Sequence, residues 1–167
     1  MYELQQTEKV KELIAITKSD SGISGPKLAM AHMELGRILA EQMKGFDPND
    51  TTIVAMLRGG IFFAEGIYFG LGCRFQTYDP KHEEFKRPET KNTILVDSVV
   101  NTGKTILDII SPDMYVACCV INEKAVPAFK EHLYTVRVSK NSYVGQDIKK
   151  QIGNVGPDTT MRLFNCI

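Results

Sequence analysis

The sequence predicts an α/β domain, a mainly parallel sheet with helices on both faces, closed by an irregular C-terminal flap. Three observations carry this expectation. Short apolar runs of strand length stand at 51–57, 93–98 and 114–121, with no polar alternation until their C-terminal ends. Between them, apolar residues fall at three- and four-residue spacing, the period of a helix with one buried face. Glycine, proline and asparagine clusters separate the two kinds of segment. Successive parallel strands need a crossover to return the chain, and a helix supplies it.

Element by element, Ser24-Gly25-Pro26 is a helix start, followed by Leu28, Ala31, Leu35, Ile38, Leu39 and Met43 on one face. The break at 45–50 leads into the buried run Thr51-Thr52-Ile53-Val54-Ala55-Met56-Leu57, which a glycine pair ends. Residues 61–71 recover helical spacing, and 73–78 read as a strand. A second buried strand, 93–98, ends in the polar pair Asp97-Ser98. A short helix follows 101–103, then the apolar run 114–121, a helix over about 123–132 and an alternating strand over 134–138. Residues 140–167, weakly periodic and punctuated by glycine, are expected to form a flap on a single domain spanning 1–167.

The length of 167 residues suits one self-supporting core. Twenty Lys and Arg balance twenty Asp and Glu, and no block of one sign stands out, which argues against a nucleic-acid partner. No stretch approaches the roughly 20 apolar residues of a membrane span, and the N-terminal segment lacks a secretion signal. A cytoplasmic location is expected. The four cysteines, at 73, 118, 119 and 166, lack metal-ligand spacing and read as reduced core thiols.

Two turns carry unusual chemistry, both at carboxyl ends of buried strands, where open parallel sheets bind ligands. In Asp97-Ser98-Val99-Val100-Asn101-Thr102-Gly103-Lys104-Thr105, a strand passes through a polar loop into a helix. Backbone N–H groups there favour an anion, Gly103 permits close approach, and Thr102 and Thr105 add hydroxyls. Asp97 would repel a phosphate placed against it but suits sugar hydroxyls nearby. The Gly-Lys-Thr triplet is no Walker A loop, since Ser98 stands where the first glycine belongs. In Leu57-Arg58-Gly59-Gly60, the glycines let backbone N–H groups close on oxygens, and the guanidinium adds charge-assisted bonds suited to pyrophosphate.

The first string resembles the signature by which type I phosphoribosyltransferases bind 5-phosphoribosyl-1-pyrophosphate (PRPP). The second resembles the pyrophosphate loop of the uracil phosphoribosyltransferases, the members this sequence is closest to. The resemblance covers about residues 20–165. It implies that Asp97 meets the ribose hydroxyls, that Asn101, Thr102, Gly103, Lys104 and Thr105 cradle the 5-phosphate, and that Leu57, Arg58, Gly59 and Gly60 hold the pyrophosphate. It adds Arg74 and Lys86 as further candidates. One departure is that many members carry a second acid where Ser98 stands, although the uracil enzymes also lack it.

The resemblance extends more weakly to the flap. Gly153-Asn154-Val155-Gly156-Pro157-Asp158-Thr159-Thr160-Met161-Arg162-Leu163-Phe164 is similar to the uracil-binding segment, with Thr159-Thr160-Met161 replacing its second Gly-Asp pair. Val155, Gly156 and Asp158 are the implied base readers, with Tyr143 as a stacking lid. The activity implied is transfer of the 5-phosphoribosyl group from PRPP to a pyrimidine, uracil above all, with release of pyrophosphate. Arg58 and Asp97 would be catalytic, and Mg²⁺ would be held by PRPP and water rather than by protein. A homo-oligomer, commonly a dimer, is implied as well. A regulatory paralogue that binds PRPP without transfer, and a transferase for another base, remain alternatives.

Overall fold

Six parallel strands form one sheet in the computed structural model, which describes residues 1–167. They are β1 (Tyr2–Glu3), β2 (Thr51–Met56), β3 (Arg74–Tyr78), β4 (Asn92–Val100), β5 (Tyr115–Asn122) and β6 (Leu133–Ser139). Their order is β1-β6-β5-β4-β2-β3. The crossovers carry α1 (Glu8–Thr17) and α2 (Pro26–Gln42), then α3 (Ile61–Leu71), α4 (Lys104–Leu107) and α5 (Val126–Phe129). The predicted parallel α/β architecture is the observed one.

Burial on both faces explains the uninterrupted apolar runs. In β2, Ile53 and Ala55 join Leu35, Leu39, Phe63 and Ile67 in the core beneath α1–α3, while Val54 and Met56 join Leu95, Val116 and Phe129 on the opposite face. No helix is long and apolar enough to cross a membrane. Cys73, Cys118 and Cys119 are free and buried as expected, but Cys166 is exposed and belongs to no core. Burial pushes the Cys119 thiol up to about 12, so it stays protonated.

Three segments differ from the sequence-based expectation. The helix expected over 123–132 shrinks to α5 and a 3-10 turn at Lys130–His132. Asn122 closes a turn before it, its Oδ1 accepting the Lys124 N–H at 3.0 Å and its carbonyl the Ala125 N–H at 2.9 Å. Pro127 then bars the α-conformation to the residue before it except at a helix start. The N-terminal segment, given no element from sequence, forms β1 and α1. Thr7 caps α1, and Val10, Ile14 and Thr17 are its buried face. The flap is more regular than expected. β7 (Val144–Gln146) and β8 (Val155–Pro157) pair in parallel, and α6 (Thr159–Leu163) follows with Asp158 as its cap.

Candidate functional site

A cleft of about 940 Å³ opens at the carboxyl ends of β2, β4, β5 and β6. Both singled-out turns line it: Leu57, Arg58 and Gly59 from the end of β2, and Asp97, Asn101 and Thr105 from the end of β4. The two turns are latched together. Ser98 Oγ donates to the Gly59 carbonyl at 2.6 Å, and Ser98 itself is buried. Gly60 lies against the β4 backbone, where an added Cβ would stand 2.5 Å from the Val96 carbonyl oxygen. It shapes the turn from behind and does not line the cleft. Gly59 faces both Asp97 and α6: a Cβ there would be 3.6 Å from Asp97 Oδ1 and 2.9 Å from Thr160 Oγ1. The Leu57–Arg58 peptide is cis. The Arg58 guanidinium is exposed and sits 5.3 Å from the centre of the Phe164 ring.

Asp97 stands at the point where β4 leaves the sheet. Its Oδ1 accepts the Ser98 N–H at 2.7 Å, and no cation pairs with it. Burial pushes its pKa up to about 7 against the opposing effect of that hydrogen bond. Beyond it, the N–H groups of Asn101, Thr102 and Gly103 find no acceptor within the protein. Gly103 has φ 73°, and a Cβ there would enter the Phe129 ring at 2.6 Å, so only glycine fits. Thr102 Oγ1 accepts the Lys104 N–H at 3.3 Å. Thr102, Gly103 and Lys104 thus form the loop behind Asn101 and Thr105 and do not line the cleft.

The flap covers the other side. Tyr143 and Asp158 line the cleft together with Thr159 and Thr160. Asp158 Oδ1 accepts the Met161 N–H at 2.8 Å, so that oxygen is committed to capping α6. Val155 and Gly156, expected to read a base, instead build the flap. Val155 pairs with Val144, and Gly156 lies under the Tyr143 ring, with an added Cβ only 2.5 Å from ring carbons. Arg162 fastens α6 to the connection between α1 and α2. Its guanidinium donates to the carbonyls of Thr17, Lys18 and Ile23 and to Ser21 Oγ at 2.9–3.3 Å.

Two further expectations fail on position. Arg74 opens β3 beside Thr52, at the amino-terminal edge of the sheet, because the parallel register carries it to the end away from the cleft. Lys86 is exposed on the loop between β3 and β4 and does not line the cleft, its carbonyl accepting from Gln76 at 2.8 Å. Conversely, the cleft contains residues that sequence reasoning passed over. Lys18 and Asp20 come from the turn after α1, and Asp79, Lys81 and His82 from the turn after β3. Asp79 Oδ2 meets His82 Nδ1 at 2.8 Å, and this contact holds the carboxyl below its usual range. Arg137, from β6, completes the wall.

No family model matches the chain, and no curated protein sequence matches it. Solved structures do. The Aquifex aeolicus protein AQ2163 superposes with a TM-score of 0.61 at 15% identity, over 87% of this chain and 88% of that one. UMP synthase of Leishmania donovani gives 0.55 at 14% identity, over 79% of this chain and 36% of that one. Orotate phosphoribosyltransferase of Aeropyrum pernix gives 0.47 at 20% identity, over 62% and 69%. The chain shares its fold with AQ2163 and with the matched part of UMP synthase. Within this fold, the two latched turns occupy the position where an open parallel sheet holds its ligand.

Proposed function

We propose that the protein transfers the 5-phosphoribosyl group of PRPP to a pyrimidine base and releases pyrophosphate, with uracil as the simplest acceptor. One observation carries this reading. The arginine-glycine turn and the Asp97 to Thr105 loop are joined by the Ser98 to Gly59 hydrogen bond and open into a single cleft. A sugar bearing a monoester at one end and a diphosphate at the other fits between two such anion-binding turns.

The roles follow from chemistry. The free N–H group of Asn101, with Thr105, receives the 5-phosphate. Asp97 accepts hydrogen bonds from the ribose hydroxyls, which draw it to its charged form. Arg58 and the backbone of Gly59 receive the diphosphate. As the bond from the anomeric carbon to the diphosphate oxygen breaks, its electron pair leaves with the diphosphate, and a ring nitrogen of the base supplies the new bond. Charge develops on the departing group, where Arg58 stabilises it. No protein nucleophile is required. Tyr143 offers a face on which the base stacks.

No group of three His, Cys, Asp or Glu side chains converges to hold a metal ion. A Mg²⁺ ion arriving on PRPP would keep water and phosphate oxygens as its ligands, with the protein carboxylates of the cleft at most outer partners. Bound there, it would supply positive charge against the leaving diphosphate. The test is pyrophosphate release from Mg²⁺ and PRPP with uracil, cytosine, orotate, hypoxanthine and guanine in turn. Release with a pyrimidine is the expected result. PRPP binding without release on any base would replace the enzyme by a PRPP-binding regulator, and release with purines alone would reassign the acceptor.

A further inference from the structure

Three arginines of this chain are fixed by acceptors. Arg37 donates to Glu34 and Glu41, Arg87 to Asp113, and Arg162 to main-chain carbonyls and Ser21 Oγ. Each spends N–H groups on its own anchorage. Arg58 does not: its guanidinium donates to no protein acceptor and joins no ion pair. What it meets is the face of an aromatic ring, with Cζ 5.3 Å from the centre of Phe164.

A cation this close to a ring centroid is attracted by the negative face of the π-system. Such a contact fixes a guanidinium without consuming an N–H, so every donor stays available to an anion in the cleft. Without the ring, a long exposed side chain would sample many rotamers. The cost of ordering it would then fall on the ligand.

The ring is itself well held. Phe164 directly follows α6, its N–H donating to the Thr160 carbonyl at 3.1 Å. Its ring centre lies 5.3 Å from that of Phe62, in the first turn of α3. The preceding residue, Leu163, is buried against Leu28 and Ala29 of α2. Arg162 ties the same helix to the α1–α2 connection. At the other end of α6, Thr160 stands against Gly59. The helix therefore meets the turn at two successive residues, the glycine through Thr160 and the guanidinium through Phe164. Phe164 does not line the cleft.

We propose that Phe164 is a positioning residue: its ring holds the Arg58 guanidinium, donors unspent, where the diphosphate departs. This rests on the transferase reading and adds to it a residue of the C-terminal segment that acts only through Arg58. Donors already in place when charge develops need no reorganisation at that moment.

The experiment titrates pyrophosphate, and separately PRPP, into the full chain with Mg²⁺ by calorimetry. The proteins are the wild type, Phe164→Leu, Phe164→Tyr, Arg58→Gln and the double variant Phe164→Leu/Arg58→Gln, with urea unfolding of each to read packing separately. Phe164→Leu is expected to weaken both ligands by about 2- to 5-fold. Phe164→Tyr, which keeps a ring, should bind as the wild type does. In the Arg58→Gln background, Phe164→Leu should change nothing further, because the interaction it removes is already gone. Phe164→Met is read in the same way if Phe164→Leu does not fold. Undiminished binding in Phe164→Leu, an equal loss with and without Arg58, or a loss in Phe164→Tyr as large as in Phe164→Leu overturns the assignment and leaves the transferase reading intact. A wild type that binds neither pyrophosphate nor PRPP overturns both.

Discussion

Asp97→Asn separates the functional cost of Asp97 from its structural cost. In the wild type, the carboxylate lies at the end of β4 with one short backbone hydrogen bond and no cation, and burial raises its pKa from 3.8 to about 7. The sign follows from proton uptake. Between about pH 4 and pH 7 the unfolded chain has lost this proton while the folded chain keeps it, so stability falls as pH rises through that window and levels off above it. At 1.36 kcal/mol per unit, the full shift corresponds to about 4 kcal/mol, and the partial exposure of Asp97 to the cleft reduces this to about 2–4 kcal/mol. Asparagine keeps an oxygen for the Ser98 N–H and carries no charge. Urea unfolding from about pH 4 to pH 8.5 should give matching stabilities at the acid end, whereas near pH 8 the variant should be more stable by that amount, or about 5–15 °C in Tm. The same variant should bind PRPP more weakly, since a neutral amide accepts ribose hydroxyls poorly. Parallel pH profiles for the two proteins, or a variant less stable than the wild type near pH 8, would refute the desolvated carboxylate.

The latch and the loop give two further tests. Ser98→Ala leaves the Gly59 carbonyl without its donor in a buried position and should cost about 1–3 kcal/mol; PRPP titration should show weaker binding as the Arg58 turn loosens, and unchanged affinity would remove the latch from the binding account. Gly103→Ala must accommodate both a φ of 73° and the Phe129 ring at 2.6 Å, and should lower stability by about 1–3 kcal/mol in chemical unfolding.

Much of this molecule is legible in its sequence because strands buried on both faces have to be apolar throughout, and tight turns at strand ends require unusual residues. Thus β2 with Arg58-Gly59-Gly60, and β4 with Asp97 and Gly103, stand out in the sequence alone. Other parts had no local signal. A two-residue strand such as β1 has no period to read, and α1 presents only Val10, Ile14 and Thr17 as a fully buried stripe. Ser98 looked like a missing acid, since its bond to Gly59 spans 39 residues of sequence. Arg137 sits in Thr135-Val136-Arg137-Val138, an alternation that reads as an ordinary outward-facing strand position. Only the order of the strands places it at the cleft. Arg74 failed for the converse reason: parallel pairing put a plausible arginine at the wrong end of its strand.

The attachment of α6 through Arg162 has a consequence for how this chain can change over time. A pair of three-residue strands and a five-residue helix are too short to persist by themselves. Their shape is borrowed from the α1–α2 connection, which receives the guanidinium on three carbonyls and a hydroxyl. The sheet, in turn, draws none of its strands from residues 140–167. The part of the cleft wall that this segment supplies is therefore free to change, with the six-stranded frame left undisturbed, for as long as one arginine stays anchored.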